Sequence, residues 1–246
     1  MRPAKPVERI VLAMLAVLGI AAAAAAGTLL PPDPSRTVGN RVSFDGFADE
    51  NGRAFSALVP QAELARDPRP WVVSPMYTRC PHTCSALTAG LRRALEQSGL
   101  GASEYRVLSF SFDPEETGAG LRGLREKSAL PAEWLTLRAL QPESLERTLA
   151  SLDFRTIARG DGDFDHPNLV AVLAPDMRLA TYLFGVTLSP SELARSVRRA
   201  RDGVSAVDSW RTYGFVISAV GFSASALAFA WLLGRRRARR GGVPGS

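Results

Sequence analysis

Two uncharged apolar runs constrain this chain more than any other feature. Ile10–Leu30 holds 21 residues without a charge and Tyr213–Gly234 holds 22. As helices rising about 1.5 Å per residue, each would cover roughly 30 Å, the thickness of a bilayer core. The first run closes on Ala21–Ala26 and Gly27, small residues of the kind found near a signal-peptide cleavage site. It therefore reads either as a retained anchor or as a cleaved signal. The second run has Trp210 and Tyr213 at one end and Trp231 near the other, as suits the two membrane–water interfaces. A buried core helix of this length would seldom lack a charge.

The formal net charge of +6 belongs to the two ends of the chain. Arg2, Lys5 and Arg9 against Glu8 precede the first run, and Arg235, Arg236, Arg237, Arg239 and Arg240 follow the second. The chain between them is close to neutral, which excludes the broad basic surface a nucleic-acid phosphate backbone requires. Basic flanks stay in the cytoplasm. The expected organisation is a cytoplasmic tail (1–9), an anchor or signal (10–30), a Pro-rich linker (31–41), a folded domain (42–205), a second span (210–234) and a basic cytoplasmic tail (235–246). The domain then lies on the periplasmic or extracytoplasmic side of the cell membrane, where disulfides persist.

Within the domain, Val42–Phe47 alternates as a strand does, and Asn51-Gly52 predicts a hairpin with Ala54–Val59 as its return strand. Trp71–Tyr77, Tyr105–Phe112 and Leu169–Ala174 read as buried strands, with a turn at Asp176–Leu179 and an antiparallel return at Ala180–Phe184. Helices are expected over Ser85–Ser98, Leu121–Ser128, Glu143–Leu152 and Pro190–Arg201. Leu87, Leu91, Ala94 and Leu95 share one face of the first, and Gly99 stops it. This order predicts an α/β sheet of thioredoxin-like type with an N-terminal hairpin and one antiparallel edge.

The two cysteines, Cys80 and Cys84, stand four apart where a buried strand gives way to a helix. A helix N-terminus favours the thiolate, and Arg79 and His82 add positive charge or polarity nearby. One helical turn lets both sulfurs face one ion, and thiolates are soft ligands that select copper(I). The same pair could close into a disulfide, but a ring this small contributes little chain-entropy stabilisation. The two histidines are His82, between the cysteines, and His166, in a glycine-rich loop before a strand. Imidazole suits copper, yet a lone loop histidine is commonly just solvated, and the residues alone leave that open. Gly118–Gly123 matches G-x-G-x-x-G, but Asp113–Thr117 separates it from the strand, so it reads as a helix start and not a dinucleotide site. Asp113, Glu115 and Glu116 read as a solvated acidic helix start.

These residues resemble the Sco/SenC family of copper chaperones over about Phe44–Arg199. Tyr77-Thr78-Arg79-Cys80-Pro81-His82-Thr83-Cys84 is similar to its Tyr-Thr-x-Cys-Pro-x-x-Cys. Ser109–Glu115 is similar to its strand ending in Asp-Pro-Glu, and Asp165-His166 to its Asp-His ahead of a hairpin. The resemblance implies a thioredoxin fold that binds a copper ion through Cys80, Cys84 and His166. It implies service in assembly of the copper centre of cytochrome c oxidase or a related oxidase. The implied partners are the membrane and a copper-accepting oxidase subunit, with other copper chaperones or thiol reductants beside them. Some members act as thiol–disulfide reductants, which makes Cys80 and Cys84 a redox pair in the alternative reading of an oxidoreductase. The chain departs from the pattern at Ser74-Pro75-Met76, at Ser85 where a second proline is usual, at Pro167, and in its C-terminal span. After Asp-Pro-Glu it also lacks the usual following aspartate.

Overall fold

The computed structural model describes residues 29–203, apart from 82 and 161. The expected anchor or signal up to residue 28, the second span, the basic tail and His82 lie outside the described residues. Among the described residues no helix is long and apolar enough to cross a membrane.

The strands are β1 (Phe47–Asp49), β2 (Trp71–Met76), β3 (Arg106–Ser111), β4 (Trp134–Ala139), β5 (Ile157–Ala158), β6 (Phe164–Asp165), β7 (Leu169–Leu173) and β8 (Leu179–Phe184). The helices are α1 (Pro34–Thr37), α2 (Phe55–Leu58), α3 (Gln61–Leu64), α4 (Cys84–Gln97), α5 (Gly118–Lys127), α6 (Pro142–Ser151) and α7 (Pro190–Arg201). Six strands form one mixed sheet in the order β1-β4-β3-β2-β7-β8, and β5 and β6 pair separately. β2, β3 and β4 run parallel, β1 and β7 run antiparallel to them, and β8 pairs antiparallel with β7. Both flanks of the parallel centre are thus antiparallel, where the sequence predicted one.

β2 and β7 are buried along their whole length, which is why they read as mainly apolar runs. Successive residues feed opposite faces of the sheet. Val72, Val107 and Val170 pack with Leu87, Leu91, Leu193 and Val197 of α4 and α7. Val73, Leu108 and Ala171 pack with Phe44, Phe47, Leu121, Leu145 and Phe154 on the other side. Gly99, at φ +70°, ends α4 in the left-handed conformation that glycine adopts without strain.

The predicted N-terminal hairpin is corrected. The turn forms, with the Asp49 carboxylate accepting from the Asn51 and Arg53 backbone N–H groups at 2.9 and 2.8 Å. The return strand does not form: a single bridge joins Ala48 to Ala54, and the chain then coils into α2. Helical spacing puts both Phe55 and Val59 into the core, against Phe44 and Trp71. β1 pairs instead with β4, a strand the sequence reading did not place, in the register Phe47↔Ala139 and Asp49↔Leu137.

Part of the expected linker joins the fold. Gly39 N–H donates to the Leu179 carbonyl at 2.8 Å and Leu179 N–H to Asn40 at 2.9 Å. Thr37 is buried and accepts from the Tyr182 hydroxyl at 3.2 Å.

Candidate metal centre

β2 delivers the chain to Tyr77, whose ring is buried, and the loop that follows carries Cys80 into the start of α4 at Cys84. On the neighbouring side β6 ends at Asp165 and β7 begins at Leu169, so His166 is held between two strands. The small β5–β6 hairpin turns through Gly160 and Gly162, both with positive φ.

Among the described residues, Cys80, Cys84 and His166 are the one group of three or more His, Cys, Asp or Glu side chains placed to share an ion. Their ligand atoms all lie within 4.8 Å of one another. Cys84 Sγ is 3.9 Å from His166 Nε2, and the Cys84 N–H donates to Cys80 Sγ at 3.4 Å. The cysteines are not joined by a disulfide; Cys80 is part-exposed and Cys84 buried.

The protonation states follow from the surroundings. His166 Nδ1 lies 3.3 Å from the Pro167 carbonyl. A carbonyl can only accept, so Nδ1 carries the proton and Nε2 keeps its lone pair toward the sulfurs. Burial lowers the imidazole pKa below its ordinary value, against the opposing pulls of that carbonyl, Asp163 and Asp165. The ring is therefore neutral at pH 7 and available as a ligand. Phe112, Tyr77 and Phe154 surround it at centroid distances of 5.0, 5.9 and 6.3 Å.

The expectation that the helix N-terminus favours both thiolates is corrected for Cys84. At 3% exposure, burial pushes its thiol well up, and the Tyr77 backbone N–H aimed at the sulfur only partly offsets this. Desolvation disfavours the charged form more than the dipole favours it. A bound cation reverses that balance, because a coordinating thiol is deprotonated outright. Arg79 is not a free counter-charge either: its guanidinium is held by Asp113 at 2.7 Å and Glu115 at 3.0 Å.

The acidic stretch read as a solvated helix start is mostly buried. Asp113 is 4% exposed and Glu116 8%, and both reach back to the cysteine loop. Glu116 accepts from the Thr78 N–H and hydroxyl, and Asp113 from Arg79. From the histidine loop, Asp163 accepts from the Tyr77 hydroxyl. Burial first, then Asp163 and Cys80, hold the Tyr77 pKa above that of an ordinary phenol, so it stays a donor. Spacing could not reveal these three acids as a group, since they come from separate loops. Asp113 and Glu116 did carry a signal, the cluster of carboxylates at the end of a buried strand. The G-x-G-x-x-G stretch also has a packing reason: a Cβ on Gly118 would lie 2.6 Å from the Glu50 carbonyl oxygen.

Residues 47–202 match the SCO1/SenC family model. No curated protein matches the chain. Among solved structures, a protein of Aquifex aeolicus VF5, provisionally described as an electron transfer protein, is 29% identical with a TM-score of 0.60, over 67% of this chain and 95% of its own. BsSco, described as a member of the Sco family of cytochrome c oxidase assembly proteins with a disulfide switch, is 18% identical with a TM-score of 0.55, over 70% and 98%. Arabidopsis thaliana ScoI, solved with copper bound, is 14% identical with a TM-score of 0.53, over 66% and 99%. The last two likenesses are of fold. The family match takes in the whole six-stranded sheet, both cysteines and His166 across more than half of the sequence, and the chain belongs to the SCO1/SenC family.

Proposed function

We propose that this chain is a membrane-anchored copper-binding chaperone for assembly of the copper centre of cytochrome c oxidase or a related respiratory oxidase. The observation that carries the proposal is the convergence of Cys80, Cys84 and His166, with ligand atoms within 4.8 Å. Two sulfurs and a neutral imidazole form a soft-to-borderline donor set that suits copper better than hard cations. Copper is cargo here, held by the three side chains and passed to a copper-accepting oxidase subunit. The copper-bound Arabidopsis relative and the oxidase-assembly role given for BsSco support this reading. The two uncharged runs with their basic flanks support an anchored domain on the periplasmic or extracytoplasmic side, with the C-terminal tail in the cytoplasm. Anchoring would raise the effective concentration at a membrane-bound target.

The exposure of the two sulfurs favours a second reading, a thiol–disulfide oxidoreductase. Part-exposed Cys80 would attack and buried Cys84 would resolve. That chemistry has no use for His166. The test is copper stoichiometry and affinity of the reduced full chain in detergent, beside His166→Ala. One copper per chain, bound much more weakly by the variant, is expected. No tight binding, or binding indifferent to His166, overturns the chaperone reading and leaves the oxidoreductase.

A further inference from the structure

Three consecutive residues lead from β2 into Cys80, and each donates to a different carboxylate: Tyr77 to Asp163, Thr78 to Glu116 and Arg79 to Asp113. Asp163 sits on the histidine loop itself, and Arg79 is half exposed at the rim. Glu116 is different, being distant in sequence from every ligand and almost fully buried. Its Oε2 accepts from the Thr78 backbone N–H and from the Ser111 hydroxyl, both at 2.9 Å. Its Oε1 accepts from the Thr78 hydroxyl at 2.7 Å and from the Thr117 N–H at 3.0 Å. Both donors of Thr78 therefore end on one carboxylate.

The surroundings are shaped for this contact. A Cβ on Gly120 would lie 2.4 Å from Glu116 Oε1 and 2.6 Å from Thr78 Oγ1, so the first turn of α5 leaves room only for glycine there. Thr117 caps α5 by accepting from Gly120 N–H at 3.0 Å. The carboxylate that reaches the cysteine loop comes one residue earlier. The four donors named are neutral, and burying an ionised carboxylate on neutral donors costs more than burying an apolar side chain of the same size. Fold stability alone gives no reason for a carboxylate at this place. Its geometry does, since only an ionised carboxylate accepts from all four donors at once.

We infer that Glu116 is a positioning residue for Cys80. By holding both donors of Thr78 it fixes where the strand releases the loop, and so the place of the Cys80 sulfur relative to Cys84 and His166. Copper is the main readout, so to that extent the inference rests on the proposed function.

The test compares the reduced full chain in detergent with its Glu116→Ala, Glu116→Gln, Thr78→Val and Ser111→Ala variants. Copper affinity is measured by chelator competition and the Cys80–Cys84 reduction potential by thiol–disulfide equilibration. Far-UV circular dichroism checks folding. Loss of a group that orients a ligand typically weakens metal binding about 10–100-fold, and that loss is expected for Glu116→Ala and Thr78→Val. Glu116→Gln, which can keep a carbonyl on the Thr78 N–H but turns an NH2 toward the Thr117 N–H, should recover part of it. Ser111→Ala removes a donor from Glu116 and an acceptor 3.3 Å from the Asp113 N–H, with no direct contact to the loop lost, and should change affinity less than about threefold, well under that range. Equal binding by all variants overturns the inference, as does equal loss for Ser111→Ala and Thr78→Val, which would mark general packing. If Glu116→Ala does not fold, the contrast between Thr78→Val and Ser111→Ala decides alone. If the unsubstituted chain binds no copper, the proposed function falls, and the reduction potential carries the test. A potential moved by Thr78→Val but not by Ser111→Ala supports positioning, and one moved by neither overturns it.

Discussion

Replacing Tyr77 by phenylalanine removes the hydroxyl that ties the cysteine loop to the histidine loop, through Asp163 and, at 3.4 Å, the Phe164 N–H. The ring is buried and packs on Phe112, Phe164 and His166, so phenylalanine keeps that packing and removes only the hydroxyl. The hydroxyl donates to the Asp163 carboxylate, and a hydrogen bond to a charged acceptor is worth about 1.5–3 kcal/mol. Asp163 is only half buried and keeps the Phe164 N–H at 2.9 Å, so the low end applies, about 1–2 kcal/mol. At about 1.4 kcal/mol per tenfold, the histidine loop should open about 5–30-fold more often. Native-state hydrogen exchange on the reduced, metal-free chain reads this directly. The Phe164 amide should exchange faster by that factor, while the amides of β2 and β3 keep their protection. An unchanged Phe164 amide would refute the reasoning. So would acceleration spread evenly over the sheet, which would place the cost in global stability and not in the latch.

Leu91→Ala, at a position 0% exposed beneath the sheet, should cost about 2–5 kcal/mol, read as a lower denaturant midpoint with an unchanged slope. Gly120→Ala should cost about 1–3 kcal/mol by overpacking, because its Cβ would press on Glu116 and Thr78, and copper affinity should fall with it. Asp67 accepts from Arg69 and Arg106, and the Arg69 hydrogen bond leads in holding its carboxyl well below the ordinary 3.8. Above pH 4 that stabilisation is fully present. As the pH falls below about 4 the unfolded chain takes up the proton first, so stability declines. Asp67→Asn should lower stability at neutral pH and flatten the decline between pH 4 and 2, as followed by urea unfolding at each pH.

The sequence was most legible where local and tertiary demands agree. β2, β3 and β7 are covered on both faces, so their sequences are mainly apolar, and the stripe of α4 lies where its 3.6-residue period put it. The predicted hairpin failed because Asn51-Gly52 specifies a turn but not what pairs after it. β4 offered a better edge, and helical spacing carried both Phe55 and Val59 into the core. β4 itself was not placed, and only its neighbours β3 and β1 make a strand of it.

The site divides in the same way. Cys80, Cys84 and the turn between them are consecutive, so their chemistry could be read from residue types and the strand-to-helix junction. His166 is 82 residues from Cys84 and approaches its sulfur only because β7 pairs with β2. Its tautomer depends on a carbonyl, and the high pKa of Cys84 on burial, neither of which a sequence displays. The three carboxylates behind Tyr77, Thr78 and Arg79 come from two separate loops. Charge alone placed Asp113 and Glu116 in solvent, and the fold turned them inward, because a side chain's surroundings are set by what folds against it and not by its own type.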